Sequence, residues 1–300
     1  MRVLTLALFL LSLASAAAQA QTFPFTGDTV VGEVQTIHTK YEDTFVDLGH
    51  TYGLGFRHLQ TANPDVLPWV PGEGTELTLP TAFVLPYEER EAIVINLPEF
   101  RLYHFLPSQN QVRTYAIGIG REGWETPTTE EREIRVTTMT PNPTWTPPQS
   151  IRRDYASRGI TLPNVVRPGP DNPLGKYAIR LTLPSYLVHG TNKDIGIGMR
   201  VSAGCIRLYD PDIEELALSV KPGTPVRIIN EPATAGWRGD RLYLQVHPQL
   251  EERRDVPINL ERAIGEALAQ QPATIVDIDW EKAREVAAQQ RGVPVDITMN

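Results

Sequence analysis

Prolines and glycines recur at short intervals along the whole 300-residue chain, 26 of the former and 22 of the latter. Proline removes a backbone donor and fixes φ, and glycine invites a turn, so this density favours short strands and turns over long helices. Residues 29–37 alternate like a strand, and Asp43-Thr44 reads as a helix start. Apolar residues at helical spacing follow over residues 45–52 and 56–63, the second run stopping at Asn63-Pro64. Residues 76–80 close as a strand, which makes residues 25–82 a small, independent βααβ module. A proline-rich joint, residues 80–86, leads into a second region. There residues 92–97, 101–105 and 112–120 read as three strands, residues 133–138 and 177–183 continue the alternation, and residues 226–229 close the sheet. Residues 141–148 and 163–173 are loops, where Trp145 and Tyr155 either line a cleft or cover the sheet. Aromatic side chains usually bury area, which favours the covering role. Beyond residue 230 comes a strand at residues 242–247 and two helices at 259–271 and 280–290, with Asp279 as a cap. The expected architecture is mainly β: the βααβ module, a β-rich domain over residues 90–230, and a mixed α/β extension over residues 231–300.

The amino terminus carries a targeting pattern. Met1-Arg2 is a short basic start, residues 3–13 form an apolar core, and Ala18-Gln19-Ala20 is a small-x-small cleavage site. Residues 1–20 are therefore expected to be a signal peptide and Gln21 the first residue of the mature chain. The alternative is that residues 1–13 remain as an uncleaved anchor, although the apolar run is too short to span a bilayer. Nothing later is long and apolar enough, so no membrane span is expected. The mature protein is expected outside the cytoplasm, without an amino-terminal lipid on cysteine, because the only cysteine lies far downstream. A formal charge of −8 without a basic stripe argues against nucleic acid as a partner.

Two familiar patterns fail on their surroundings. Gly118-Ile119-Gly120-Arg121-Glu122-Gly123 matches G-x-G-x-x-G after a strand, but the following Trp124-Glu125-Thr126-Pro127 cannot open a phosphate-binding helix. Those glycines read as a tight turn. The six histidines are scattered, with no C-x-x-C or H-E-x-x-H, so neither a metal nor any other cofactor is implied. His247, alone on a strand, reads as structural.

Cys205 is the single cysteine, in Ser202-Ala203-Gly204-Cys205-Ile206-Arg207. A thiol with no partner in an exported chain points to reactivity. Residues 185–188 form an apolar strand that delivers His189 to a sheet edge, and a glycine-punctuated loop follows that can fold imidazole back onto thiol. In such a pair the imidazole lowers the thiol pKa and returns the proton to the leaving amine. An inert buried cysteine beside a satisfied core histidine is the competing reading, and composition alone favours it. A papain-like arrangement is disfavoured because there the cysteine precedes the histidine.

His189-Gly190-Thr191-Asn192 followed by Ser202-x-Gly204-Cys205-Ile206-Arg207 resembles the signature of the YkuD-type L,D-transpeptidases of bacterial cell walls. The resemblance runs from about residue 91 to 230 and includes Asn142-Pro143-Thr144-Trp145-Thr146-Pro147-Pro148 and Gly169-Pro170-Asp171-Asn172-Pro173-Leu174-Gly175. The βααβ module is similar to a LysM domain, which binds N-acetylglucosamine-containing glycans, and the whole looks like the periplasmic subgroup with that module. The resemblance implies Cys205 as nucleophile on a peptidoglycan stem peptide, releasing D-alanine and leaving a thioester. It implies His189 as base and then acid, oriented by the Gly190 carbonyl, with backbone N–H groups around Ala203, Gly204 and Cys205 as oxyanion donors. Ser202 and Arg207 would contact substrate, Arg207 through a carboxylate, unless it braces the loop. The acceptor is an amine of another stem peptide or of an envelope-protein lysine. Water would make the protein a hydrolase, and a decayed centre would leave a glycan-binding protein. The chain departs from the family at Ala203, usually histidine, where reduced or redirected activity is expected, and at Thr129, usually glycine, where only a turn should change.

Overall fold

The computed structural model describes residues 20–25, 27–87, 93–129 and 132–299. The signal-peptide and anchor expectations fall on residues 1–19, outside the described residues. Among the described residues no helix is long and apolar enough to cross a membrane.

The chain is mainly β, as its turn-rich sequence implies. A nine-stranded sheet runs in the order Gln21–Pro24, Gln111–Ala116, Arg101–Leu106, Ile93–Asn96, Pro225–Ile229, Ile134–Pro141, Tyr177–Leu181, Leu187–His189, Ile206–Arg207. Neighbours are antiparallel except for two pairs: Pro225–Ile229 with Ile93–Asn96, and Leu187–His189 with Ile206–Arg207. Gln21–Pro24 is an edge strand of this sheet. Successive side chains point to opposite faces, and both faces are apolar. Ile93, Ile95, Leu102, Ile179 and Ile228 pack with Ile213 and Leu216 from the helix Asp210–Ser219. Val94, Tyr103, Phe105 and Ile229 pack the other way, against Phe45, Leu48, Leu59, Leu77 and Phe83.

That second face changes the reading of the amino-terminal module. Its βααβ order is present, as Gln35–His38, Phe45–Thr51, Phe56–Ala62 and Glu76–Leu79, with the outer strands paired antiparallel. Thr44 caps the first helix, its Oγ1 accepting from Asp47 N at 3.2 Å. The module does not stand alone, however, because its apolar side chains share one core with the sheet. At roughly 1.5–3 kcal/mol for each fully buried large side chain, the two units are bound by the same burial that folds each of them. The alternation read as one strand over residues 29–37 breaks at Gly32, which has φ +72° and leaves only 2.2 Å between an added Cβ and Thr81 O. Val30–Gly32 therefore pairs with Ala82–Val84, and the segment expected to be a joint is a buried strand.

The carboxy-terminal extension forms its own sheet, Ala233–Arg238, Arg241–Val246 and Val295–Asp296, covered by the helices Leu260–Gln270 and Trp280–Gln289. Trp237 is fully buried at its centre and donates Nε1–H to Ala267 O at 2.7 Å. Asp279 caps the last helix, accepting from Lys282 N at 2.9 Å. The extension also binds the module: Thr29 and Trp237 exchange hydrogen bonds, Thr29 N to Trp237 O at 2.8 Å and Trp237 N to Thr29 Oγ1 at 2.7 Å.

Candidate active site

The end of the sheet brings His189 and the cysteine segment side by side. Leu187–His189 and Ile206–Arg207 run parallel with His189 opposite Arg207, and the two-residue period of extended chain carries Cys205 to the face shared by both. The intervening loop is held from outside: Phe56 N donates to Ile197 O at 3.0 Å and Arg57 N to Gly198 O at 3.3 Å. An added Cβ on Gly55 would lie 2.5 Å from Gly198 Cα, so the start of the module's second helix abuts the loop between His189 and Cys205 directly. The strand Arg200–Ser202 is held on its other side, where Arg200 Nε donates to Gly120 O at 2.9 Å and its guanidinium pairs with Glu251 and Glu252 of the extension.

His189 is buried, and its Nδ1 lies 2.6 Å from Gly190 O. A carbonyl only accepts, so Nδ1 carries the proton and Nε2 is left as the acceptor. Burial, with Arg207 beside it, pushes the imidazole down to about 3, against the raising effect of the Gly190 carbonyl. Cys205 is half-buried, and its Sγ lies 3.8 Å from Ser185 O. Burial pushes the thiol up, although the Leu187 backbone and Arg207 favour the thiolate. The resting pair is thus neutral thiol and neutral imidazole, not the lowered thiol expected from proximity, because desolvation outweighs the nearby positive charge.

The remaining residues singled out from the sequence divide. Gly204 has φ +97°, and a Cβ there would lie 2.6 Å from the Tyr186 ring. Its N–H is not available as an oxyanion donor, since it is bonded to Ser202 Oγ at 3.1 Å. Ser202 does not reach substrate either: the residue is 2% exposed and its hydroxyl also donates to Cys205 O, bracing the turn. Ala203 is half-buried, and its N–H, like that of Cys205, has no hydrogen-bond partner among the described residues. Arg207 lines a cleft of about 730 Å³, together with Trp145, Tyr155, Arg167, Asp171 and Lys193. The two aromatic residues therefore line the cleft rather than cover the sheet. Thr129 is buried and clasps the sheet, its Oγ1 accepting from Ile228 N at 2.9 Å.

The G-x-G-x-x-G segment pairs with the strands that flank Cys205. Gly118 and Arg207 exchange backbone hydrogen bonds of 2.8 Å in both directions, and Ile119–Gly120 pairs with Arg200–Ser202. Both glycines are required by close packing: an added Cβ would lie 2.4 Å from Gly196 O at Gly118 and 2.2 Å from Trp124 O at Gly120.

Residues 90–228 match the family model of the L,D-transpeptidase catalytic domain (YkuD). The probable L,D-transpeptidase YcfS of Escherichia coli (strain K12) is 43% identical over 293 residues, 93% of this chain and 89% of that protein. The chain belongs to the L,D-transpeptidase family. The probable L,D-transpeptidase ErfK/SrfK of the same strain is 37% identical, covering 99% of this chain and 97% of the relative. L,D-transpeptidase 3 from Mycobacterium tuberculosis, solved by crystallography, aligns over 72% of this chain and 99% of its own at 15% identity and a TM-score of 0.35. This L,D-transpeptidase is thus an enzyme of peptidoglycan chemistry. Sequence reasoning singles out Cys205 and His189 but not Thr126, whose hydroxyl reaches the Gly204 carbonyl from 78 positions away. The adjacent Pro127 was visible only as a feature breaking a nucleotide motif.

Proposed function

We propose that this L,D-transpeptidase works in the periplasm, after removal of residues 1–20, through a Cys205 thioester. What supports the reading is the strand register that sets His189 opposite Arg207, two residues beyond the half-buried Cys205, with Nδ1 on the Gly190 carbonyl and Nε2 left free. Cys205 Sγ attacks the stem-peptide carbonyl as its proton passes to His189 Nε2. The C–N bond to D-alanine breaks, and the leaving amine takes that proton from His189. An acceptor amine then attacks the thioester and gives its proton to His189, which passes it to Sγ as the C–S bond breaks and the thiol is restored. The cleft favours such a donor: it presents Arg167, Lys193 and Arg207 against one carboxylate, Asp171, on a chain of net charge −8. Stem peptides carry several carboxylates, which a planar guanidinium holds in bidentate fashion.

The amino-terminal module is read as a LysM-like glycan anchor. Phe45 N donates to Pro68 O at 2.9 Å, drawing the loop of residues 66–70 beside the start of the first helix. Trp69 is 52% exposed there, leaning on Phe56 at 5.4 Å between ring centroids, in the manner of a platform for a sugar ring. Because the module shares the sheet's core, its role is tested by Trp69→Ala rather than by deletion: sedimentation with isolated sacculi should fall while transfer on soluble substrate persists. Unchanged sedimentation would remove the anchoring role. The enzymatic reading is tested by incubation with a tetrapeptide muropeptide and an amine acceptor, followed by product masses. A dimer or amine adduct with loss of D-alanine is expected. Hydrolysed peptide alone would make the protein a hydrolase, and unchanged substrate would leave only a binding protein.

A further inference from the structure

Two buried hydroxyls fix the peptides on either side of Gly204. Ser202 Oγ accepts the Gly204 N–H and donates to Cys205 O. Thr126 Oγ1, from 78 residues away in sequence, donates to Gly204 O at 2.9 Å and accepts from Gly120 N at 2.9 Å. Thr126 is only 6% exposed, so neither bond has a ready replacement in water. The peptide joining Gly204 and Cys205 is trans, so its C=O and N–H point to opposite sides. Holding the carbonyl on Thr126 therefore aims the Cys205 N–H away from Thr126. That N–H is unpartnered among the described residues and belongs to the residue that bears the nucleophile.

We propose that Thr126 is a positioning residue for acyl transfer, holding the Cys205 N–H where it meets the oxyanion of the tetrahedral intermediate. The inference rests on the thioester reading above. As the Sγ–C bond forms, the carbonyl electron pair moves onto oxygen and the thiol proton goes to His189. As the intermediate collapses, that pair re-forms the carbonyl, the C–N bond breaks, and His189 returns the proton to the leaving amine. A donor fixed before the reaction needs no reorganisation when the charge appears, which is what makes such donors effective. Thr126 touches neither thiol nor substrate and acts only through the Gly204 carbonyl.

The test separates oxyanion stabilisation from thiol reactivity. Wild type, Thr126→Val and Thr126→Ser are each followed by intact mass during acylation with a tetrapeptide donor, and separately during alkylation with iodoacetamide. Alkylation displaces iodide at a saturated carbon and forms no oxyanion. Thr126→Val should slow acylation roughly tenfold or more, leave alkylation unchanged, and be rescued by Thr126→Ser, which keeps the hydroxyl. Acylation of Thr126→Val at the wild-type rate would overturn the proposal. So would an equal slowing of alkylation, which would mean a disturbed thiol or fold. If circular dichroism shows the valine variant unfolded, Thr126→Ala and Thr126→Ser are compared by the same criteria. Wild-type protein that takes up no acyl group would sink the thioester reading itself, and this inference with it, before any variant is compared.

Discussion

His189 and His247 are both buried beside an arginine, and burial together with that charge pushes each imidazole down to about 3. Their settings differ in everything else. His247 lies where the module, the sheet and the extension meet, with His58 and Glu99 around a space of about 10 Å³, room for about one water. Its Nε2 is 4.0 Å from Glu99, too far for a hydrogen bond, and has no other partner among the described residues. Glu99 is itself pushed up to about 7 by burial. His189 instead sits one strand from the only cysteine and next to Arg207, which lines a cleft of about 730 Å³. A depressed imidazole reports burial; a catalytic imidazole also needs a nucleophile and a way in.

The comparison breaks most visibly at the nucleophile. Cys205→Ala should abolish acyl transfer and adduct formation with a carbapenem, measured by intact mass, while nothing at the His247 cluster should do so. Next, His189→Gln should lower the acylation rate roughly 10²- to 10⁴-fold, the usual range for a lost general base, with the fold retained by circular dichroism. Arg207→Gln should raise KM for the donor about tenfold through loss of a charge-assisted contact. It should also move the pH profile. In the wild type the base protonates only near 3, so kcat/KM should stay level from about pH 7 to pH 5. Without Arg207 the imidazole should rise while burial, the larger cause, still holds it below its usual range, so the acid limb should move up from about pH 3; an unshifted limb would mean that Arg207 does not act on His189.

The smallest effect belongs to His247→Leu, which should leave the rate per folded molecule unchanged and alter only acid stability. The folded pKa of His247 lies below its unfolded value near 6.5, so the unfolded chain binds the extra proton as pH falls toward about 3. That contribution to stability is present above the unfolded value and lost through this window. Removing the imidazole should reduce the slope of unfolding free energy against pH by up to roughly 1.4 kcal/mol per unit there, as read by urea denaturation at several pH values. A loss of acylation in this variant would dissolve the distinction between the two histidines.

How much of this was legible follows the range of the interactions. Local signals were readable: the Thr44 and Asp279 caps, the helical spacing of Phe56–Ala62, and the strand carrying His189 all depend on residues within a turn or two. The proposed pairing of His189 with Cys205 rests on a motif, and the register of their two strands is consistent with it. The bracing was not, because Thr126 meets Gly204 across 78 positions and Arg200 meets Glu252 across 52, and neither contact leaves a period in the sequence. Ser202 is a substrate contact only by resemblance; its inward orientation shows that the hydroxyl closes the turn instead. The shared core was hidden for a similar reason. Phe45 and Leu59 show an apolar face, but nothing in their spacing says that Val94 and Tyr103 cover it.

The most direct test of the central claim is the intact mass of the mature protein after incubation with a stem tetrapeptide in the absence of an acceptor amine. The account predicts a mass gain equal to the tetrapeptide acyl group without its terminal alanine, located on Cys205 by peptide mapping and discharged by hydroxylamine. An unmodified mass, under conditions where iodoacetamide still alkylates Cys205, would contradict it.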